Sequence, residues 1–235
     1  MKLAMWSGPR NLSTAMMYAF AARGDCAVWD EPFYAPYLAA TGADHPMRAK
    51  VLAAHDTDPH RVAAACAGPV PGAKAHWYMK HMAHHMIDGV PLDWARDCVN
   101  IHLIRHPARV IASYGEKRGE MTLDDIGYPQ QLRLWRALPG PVVNSADIRR
   151  DPGRALGGLC AALGLPFVPE MLHWPAGPRA FDGVWAAHWY GAVHRSTGFA
   201  GAEGPLPDVP PHRQALLQAA LPIYQAMRAE ALPIP

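Results

Sequence analysis

Five short apolar runs separated by helical stretches constrain the fold of this chain more than any other feature of its sequence. Strands that alternate with helices are typical of crossover units, which build a mainly parallel sheet. The five runs span residues 3–6, 27–29, 75–79, 99–104 and 142–143. We therefore predict a three-layer α/β/α fold with a central sheet of four or five strands. Right-handed crossovers would bring the carboxyl ends of the strands to one crevice, where we expect the functional groups.

Helical stretches lie between and after these runs. They span residues 13–23, 45–54, 59–67, 107–117, 130–137, 151–163 and 211–231. Pro222 should kink or split the last of them. Residues 164–210 are rich in Pro, Gly and Trp and show no sustained period, which indicates an irregular cap over the sheet edge. We predict a single domain over residues 1–235.

Charged residues of the two signs nearly balance, with 22 Lys and Arg against 20 Asp and Glu and a formal net charge of +2. Without a strong basic field the chain is not expected to hold nucleic acid. Any anionic ligand must therefore be bound by local groups.

The cysteines form no C-x-x-C pair and lie in segments that resemble buried strands or helices; they are Cys26, Cys66, Cys98 and Cys160. Free thiols fit a reducing compartment, so we expect a cytoplasmic protein. The apolar residues after Lys2 are too few for a signal peptide, and no run of about 18 apolar residues occurs. No membrane span is predicted.

The first chemical motif is a strand, a loop and a helix within residues 2–23. A buried strand that turns directly into a helix leaves the first N–H groups of the helix unpaired, and these suit a phosphate or sulfate. Arg10 adds charge, while Ser13 and Thr14 add hydroxyl donors. The alternative is an ordinary turn in which Ser13 caps the helix. The loop has no Gly-Lys pair, which disfavours an ordinary nucleoside triphosphatase.

The second motif follows the strand at residues 99–104. Arg105 lies at the carboxyl edge of the sheet, and Pro107 suits the first turn of a helix that carries Ser113. Arg105 can donate two N–H groups to a phosphate, and Ser113 can reach the same group if the helix packs alongside. The alternative is that Arg105 pairs with an acidic neighbour and Ser113 lies on a helix surface.

These segments resemble the sulfotransferase family. The family loop, Pro-[Lys/Arg]-Ser-Gly-[Ser/Thr]-[Ser/Thr], corresponds to Pro9, Arg10, Asn11, Leu12, Ser13 and Thr14. The second family signature is Arg-x-Pro with a Ser eight residues after the Arg, matched by Arg105, Pro107 and Ser113. A distal Asp-Pro and Leu-Gly-Leu-Pro-Phe segment is similar to residues 147–167. The chain is most similar to a bacterial branch with Asp-Glu-Pro-Phe, here residues 30–33, some of whose members carry an aminotransferase-like label.

The resemblance implies a P-loop NTPase-like fold and 3′-phosphoadenosine 5′-phosphosulfate as the donor. It places the 5′-phosphosulfate on the loop at residues 9–14, largely through backbone N–H groups, and the 3′-phosphate on Arg105 and Ser113. A late basic loop of the family is loosely similar to residues 193–199, which makes Arg195 a further candidate donor contact. Leu12 replaces the usual Gly of the family loop, so a positive φ would be strained there and a loop of different shape stays open.

Transfer of a sulfuryl group needs cations near the donor oxygens and a base near the acceptor. We expect Arg10 and Lys80 to be the cations, since Lys80 follows the third strand, as a lysine does in the family. Three residues are candidate bases, and the choice among them stays open: Glu31, His81 and His84. Glu31 is similar to glutamates of family members, whereas an imidazole pKa of about 6.5 suits neutral pH. Lys80 could instead be a surface residue, and Glu31 could pair structurally.

The histidines around Lys80 also suggest a metal site, but no H-E-x-x-H occurs and no Cys or carboxylate completes a ligand set, so we expect no metal. The aromatic residues Trp185, Trp189 and Phe199 line an acceptor pocket or seal the cap.

The predicted function is sulfuryl transfer to a hydroxyl or amine of a small acceptor. One alternative is a phosphotransferase or nucleotide-binding protein on the same scaffold, disfavoured by the lack of a clear magnesium-holding Asp after an apolar strand. Another is a non-catalytic member of the fold, suggested by Leu12. Neither the acceptor nor the oligomeric state follows from the sequence.

Overall fold

The computed structural model describes residues 1–115 and 120–234. Its centre is one five-stranded sheet in the order β2-β3-β1-β4-β5, and every neighbouring pair is parallel. The strands are β1 (Lys2–Ser7), β2 (Cys26–Asp30), β3 (His76–Met82), β4 (Val99–Ile104) and β5 (Val142–Asn144). At the carboxyl end of β1, Ser7 is in register with Met82 of β3 and Leu103 of β4. The ends of the three central strands therefore meet at one edge.

Helices cover both faces of the sheet. They are α1 (Ser13–Ala22), α2 (Tyr34–Thr41), α3 (Arg48–Ala54), α4 (Pro59–Ala67), α5 (Pro107–Gly115), α6 (Tyr128–Ala137), α7 (Ser145–Arg150), α8 (Pro152–Ala162), α9 (Ala186–Trp189), α10 (Gly191–His194) and α11 (Gln214–Ala229). Short 3₁₀ turns lie at Pro71–Ala73, Ala83–His85, Asp93–Asp97, Pro169–Leu172 and Pro211–Arg213.

Two apolar cores lie on opposite faces of β1, because successive side chains of a strand point to opposite sides. Leu3 and Met5 pack with α1 and α8 on one face, whereas Ala4 and Trp6 pack with α4 and α6 on the other. All four of these side chains are fully buried. The predicted three-layer α/β fold with a parallel sheet is thus confirmed.

The predicted elements agree with the structure except at a few places. Neither α2 nor α7 was predicted. For α2 the reason is that Pro32 and Pro36 punctuate its sequence; Pro36 lies in the first turn, where no N–H donor is needed. The helix α11 is not split and continues through Pro222. The described part of α5 ends at Gly115, so the predicted end of this helix at Lys117 lies outside the described residues.

The segment predicted as a cap holds α9 and α10 between irregular stretches. Several of its side chains enter the core beside α1, namely Trp174, Trp185 and Tyr190. Within the described ranges, no helix is both long and apolar enough to cross a membrane. The four cysteines are free thiols, and burial raises the pKa of Cys26 to about 12.

Candidate active site

The loop between β1 and α1 is pressed against the carboxyl edge of the sheet. Asn11 is 4% exposed, and its Nδ2 donates a hydrogen bond to the carbonyl oxygen of Leu103 in β4, at 3.2 Å. A side chain at Gly8 would place its Cβ 2.8 Å from the carbonyl oxygen of Ile126, so only glycine fits there without displacement. The loop is therefore fixed by the neighbouring strand and by the chain before α6.

Leu12 adopts the left-handed backbone conformation, with φ of 76° and ψ of 7°, and Arg10 also has a positive φ of 62°. A non-glycine residue is strained in this region, by about 1–2 kcal/mol. Leu12 thus has a positive φ although it is not glycine, and the open possibility that Leu12 avoids this conformation is wrong. Strain of this kind is typical of functional sites.

The helix α1 begins without a side-chain cap. Leu12 is its N-cap residue and Ser13 is its first helical residue, and no side chain of the described chain caps the helix. The alternative in which Ser13 caps an ordinary turn is therefore wrong. Uncapped N–H groups and the positive end of the helix dipole make the start of α1 suited to an anion.

A cavity of about 300 Å³ opens at this edge of the sheet. Most of the predicted site residues line it: Pro9, Arg10, Asn11, Leu12, Ser13, Thr14, Glu31, Lys80, His84, Arg105 and Ser113. Further lining residues were not predicted: Tyr34, His45, His85, Tyr114, Arg149 and Tyr190. The structure thus brings the loop, the second motif and two of the candidate bases around one space.

The two predicted anion motifs contact each other directly. Nε of Arg10 donates a hydrogen bond to Oγ of Ser113 at 2.8 Å, and Nη1 of Arg105 donates to the carbonyl oxygen of Arg10 at 2.7 Å. Groups about 100 positions apart in sequence therefore form one polar wall of the cavity.

Arg105 also pairs with an acidic residue, as the alternative interpretation of its motif allows. Its Nη2 donates to Glu203, and Nε of Arg109 lies 2.9 Å from the second carboxylate oxygen of Glu203. Neither Arg109 nor Glu203 was predicted as a site residue, because Glu203 belongs to an irregular segment without a motif. The contacts of Glu203 with Arg105 and Arg109 are seen only in the folded structure.

Lys80 is held in a buried polar cluster. Its side chain is 1% exposed, and Nζ donates to Asp30 at 2.9 Å, to Glu31 at 2.5 Å and to the Tyr190 hydroxyl at 2.5 Å. The Tyr190 hydroxyl in turn donates to Asp30 at 2.8 Å. Trp185 donates its Nε1–H to the same hydroxyl at 3.1 Å. The alternative that Lys80 is a surface residue is therefore wrong.

Burial dominates the electrostatics of this cluster. It raises the pKa of Glu31 above its usual range, an effect that Lys80 opposes and Asp30 reinforces. Burial lowers the pKa of Lys80, but the two carboxylates outweigh it, so the pKa is raised overall and the amine stays charged. Glu31 has a positive φ of 40°, a further strained residue beside the cavity. Glu31 thus combines a carboxylate of raised proton affinity with access to the cavity.

The histidines that follow Lys80 separate to two places. His84 lines the cavity with His85 and His45, and Nδ1 of His45 lies 3.0 Å from the Tyr34 hydroxyl. Burial, together with His84, lowers the pKa of His85 well below its usual value, so this imidazole is neutral.

His81 does not line the cavity. Its ring stacks on Trp6 with centroids 4.5 Å apart and also contacts Trp94 and Phe33, on the opposite face of β3 from Lys80. Both ring nitrogens are buried without a hydrogen-bond partner, and burial lowers the pKa of His81 to about 3. His81 is therefore too far removed from the cavity face to serve as its base.

His81 makes a pH-dependent contribution to stability. Its folded pKa of about 3 lies below the unfolded value of about 6.5, so between these values the unfolded chain binds a proton that the native protein does not. The contribution of His81 to the free energy of unfolding is therefore fully present above about pH 6.5 and is lost as the pH falls toward 3. We expect His81→Phe to reduce this slope by up to about 1.4 kcal/mol per pH unit. Urea unfolding of the wild type and the variant between about pH 4 and 7 measures how the free energy of unfolding changes with pH. Identical slopes in the two proteins would show that His81 is not responsible.

Some of the cap residues predicted for the site line the cavity and others do not. Arg195 is exposed and does not line the cavity, whereas Ser196, Gly198 and Phe199 do. Trp189 lines the cavity, and Trp185 is buried beneath it. In the described part of the chain, no three His, Cys, Asp or Glu side chains are arranged to hold a metal ion.

A parallel sheet of this strand order, whose central strand β1 leads through a short loop into the helix α1, is typical of P-loop NTPase-like folds. A solved structure confirms the class, the sulfotransferase domain from the Synechococcus PCC 7002 olefin synthase. It aligns over 99% of this chain and 96% of its own, with a TM-score of 0.50 and 16% identity.

The chain belongs to the sulfotransferase domain family, whose model matches residues 1–231. Two similar proteins from Arabidopsis thaliana are named branched-chain-amino-acid aminotransferase-like proteins 1 and 2. They are 36% and 34% identical to this chain over 229 and 228 residues, or 95% of the chain in each case. The chain spans 41% and 40% of the length of these relatives.

Proposed function

We propose that this protein transfers a sulfuryl group from 3′-phosphoadenosine 5′-phosphosulfate to a hydroxyl or amine of a small acceptor. The observation that carries the proposal is that two arginines, with helix N–H and hydroxyl groups that suit an anion, line one cavity. One is Arg10 at the start of α1, which has no side-chain cap in the described chain, and the other is Arg105, which lines the same cavity as Ser113. Two cationic positions on one cavity wall suit a sulfate donor with two anionic groups, whereas a nucleoside triphosphate has a single phosphate chain.

The residues present fit such a donor. The first-turn N–H groups of α1 and the Arg10 guanidinium would hold the 5′-phosphosulfate, and Arg105 with Ser113 would hold the 3′-phosphate. Nδ2 of Asn11 anchors the loop to Leu103, but its Oδ1 is buried without a partner. A buried amide oxygen without a partner leaves a hydrogen-bond acceptor for a ligand hydroxyl or amine. When bound, the donor supplies an activated sulfuryl group with a nucleotide leaving group.

Glu31 is the base that we propose for the acceptor. Its carboxylate would take the proton from the acceptor hydroxyl as the acceptor oxygen forms a bond to sulfur and the bond from sulfur to the 5′-phosphate oxygen breaks. The charge that develops on the phosphate oxygen would be stabilised by Arg10 and the N–H groups of α1. Lys80 would position Glu31 through their ion pair, which differs from the direct role of a donor contact predicted for it.

The two Arabidopsis relatives extend well beyond the region shared with this chain. We propose that the shared region is the sulfotransferase-like part of those proteins, and that any aminotransferase-like property belongs to the rest of their length.

Replacing Arg105 by Ala should weaken binding of adenosine 3′,5′-bisphosphate by about 10- to 100-fold, because charge-assisted hydrogen bonds to the 3′-phosphate are lost. Calorimetric titration measures the affinity. Arg136→Ala, an exposed change on α6, serves as a matched control that should bind like the wild type. Equal affinities of the Arg105 variant and this control would contradict the proposed 3′-phosphate site.

A further inference from the structure

Glu203 lies among three arginines, two of which, Arg105 and Arg149, line the cavity. Its side chain is 6% exposed, and its carboxylate pairs with Arg105, with Arg109 at 2.9 Å and with Arg149 at 3.9 Å. Arg105 is the residue to which the proposed function gives the 3′-phosphate. An internal carboxylate thus already pairs with this arginine.

The same arginines hold the backbone around Glu203. Nε of Arg149 donates to the carbonyl oxygens of Ala200 and Gly201 at 2.8 and 2.7 Å, and Arg109 donates to that of Gly204. These contacts tie residues 200–204 to the cavity wall through arginine side chains. A methyl group added at either Gly201 or Gly204 would meet no atom within 4 Å, so the segment lies on open surface and has room to move outward.

One carboxylate does not balance the charge of this cluster. Among the residues that the structure describes, Glu203 is the one carboxylate paired with these three guanidinium groups, whereas a phosphate monoester carries about −1.5 to −2 at neutral pH. Burial lowers the pKa of Arg149, and Arg105 and Arg109 lower it further, while Glu203 opposes them. A more highly charged anion than a carboxylate would therefore suit these three arginines better.

We propose that Glu203 is an internal competitor for the 3′-phosphate, that Arg109 and Arg149 complete the phosphate site with Arg105, and that donor binding releases residues 200–204. The inference rests on the proposed function for the identity of the ligand. The ligand-free protein is held in a closed state, and binding must exchange one anion for another. Such an exchange reduces the apparent affinity by the fraction of molecules in the open state.

The first test compares Glu203→Gln with the wild type in titrations with adenosine 3′,5′-bisphosphate. The amide keeps the size of the side chain but removes its charge, so we expect binding to tighten by about tenfold or more. Glu230→Gln, an exposed change at the end of α11, should leave the affinity unchanged. Unchanged or weaker binding by the Glu203 variant, with this control at wild-type affinity, would overturn the proposal.

A second measurement uses the wild-type chain and does not depend on the folding of a variant. A protease that cleaves after Glu should cut after Glu203 about tenfold faster when adenosine 3′,5′-bisphosphate is saturating, because the released segment becomes accessible. Protection of this bond, or an unchanged rate, would show that the ligand does not displace Glu203.

Inorganic sulfate separates the failure of this inference from failure of the proposed function. If the bisphosphate binds neither the wild type nor Glu203→Gln, the proposed donor is wrong, but the arginine cluster can still be tested. Sulfate should then raise the melting temperature of Glu203→Gln more than that of the wild type or Glu230→Gln. Equal shifts in the three proteins would reject Glu203 as an internal competitor.

Discussion

Replacing Glu31 by Gln should lower the rate constant of sulfuryl transfer by about 10²- to 10⁴-fold while leaving donor affinity nearly unchanged. The amide cannot accept the acceptor proton, but Lys80 keeps its ion pair with Asp30, so the cavity should keep its shape. Single-turnover assays with radiolabelled donor and a panel of small alcohols, phenols and amines would measure the rate. Titration with adenosine 3′,5′-bisphosphate would measure the binding.

A matched control is available in Glu170→Gln, an exposed change outside the cavity, which should keep the wild-type rate. Full activity of the Glu31 variant would contradict its role as the base. If His84→Ala lost activity instead, the base would be His84, which lines the same cavity.

Lys80→Met should destabilise the fold by about 3–5 kcal/mol, because it leaves Asp30 and Glu31 buried without their cation. Denaturant unfolding would give the loss in the free energy of unfolding. The double change Lys80→Met with Glu31→Gln should be less destabilising than the single change, since one uncompensated carboxylate is removed.

The exposed Lys50 on α3 provides the control for this prediction, since Lys50→Met should change stability by about 0.5 kcal/mol or less. A Lys80 variant as stable as the Lys50 variant would show that the buried cluster is not coupled as the contacts indicate.

The strands β1 and β4 were predictable because their apolar runs are buried on both faces, so that the residue types of the run alone indicate a strand. The position of His81 was predicted wrongly, because the predicted third strand ended at Met79. The strand in fact continues to Met82, and the alternation of side chains then places Lys80 and His81 on opposite faces. Because the predicted strand end was three residues too early, His81 was predicted to face the cavity, although it lies in the core.

The loop and the second motif were predictable because each consists of neighbouring residues after a strand. Two of the contacts in the site were not predictable, that of Arg105 with Glu203 and that of Lys80 with Tyr190, because Glu203 and Tyr190 lie in the irregular segment and reach the site only through folding. Leu12 marks the limit of inference from a single residue type. The sequence indicated that a positive φ would be strained at Leu12, but only the structure shows that Leu12 adopts a positive φ.

The proposed function requires that this cavity bind a nucleotide with separate 3′ and 5′ anionic groups. Calorimetric titration of the wild-type protein with adenosine 3′,5′-bisphosphate, and separately with ATP and magnesium, tests it most directly. We predict binding of the bisphosphate with a dissociation constant of the order of micromolar, or about −8 kcal/mol, and much weaker binding of ATP. No binding of the bisphosphate, or tighter magnesium-dependent binding of ATP, would contradict the proposed function.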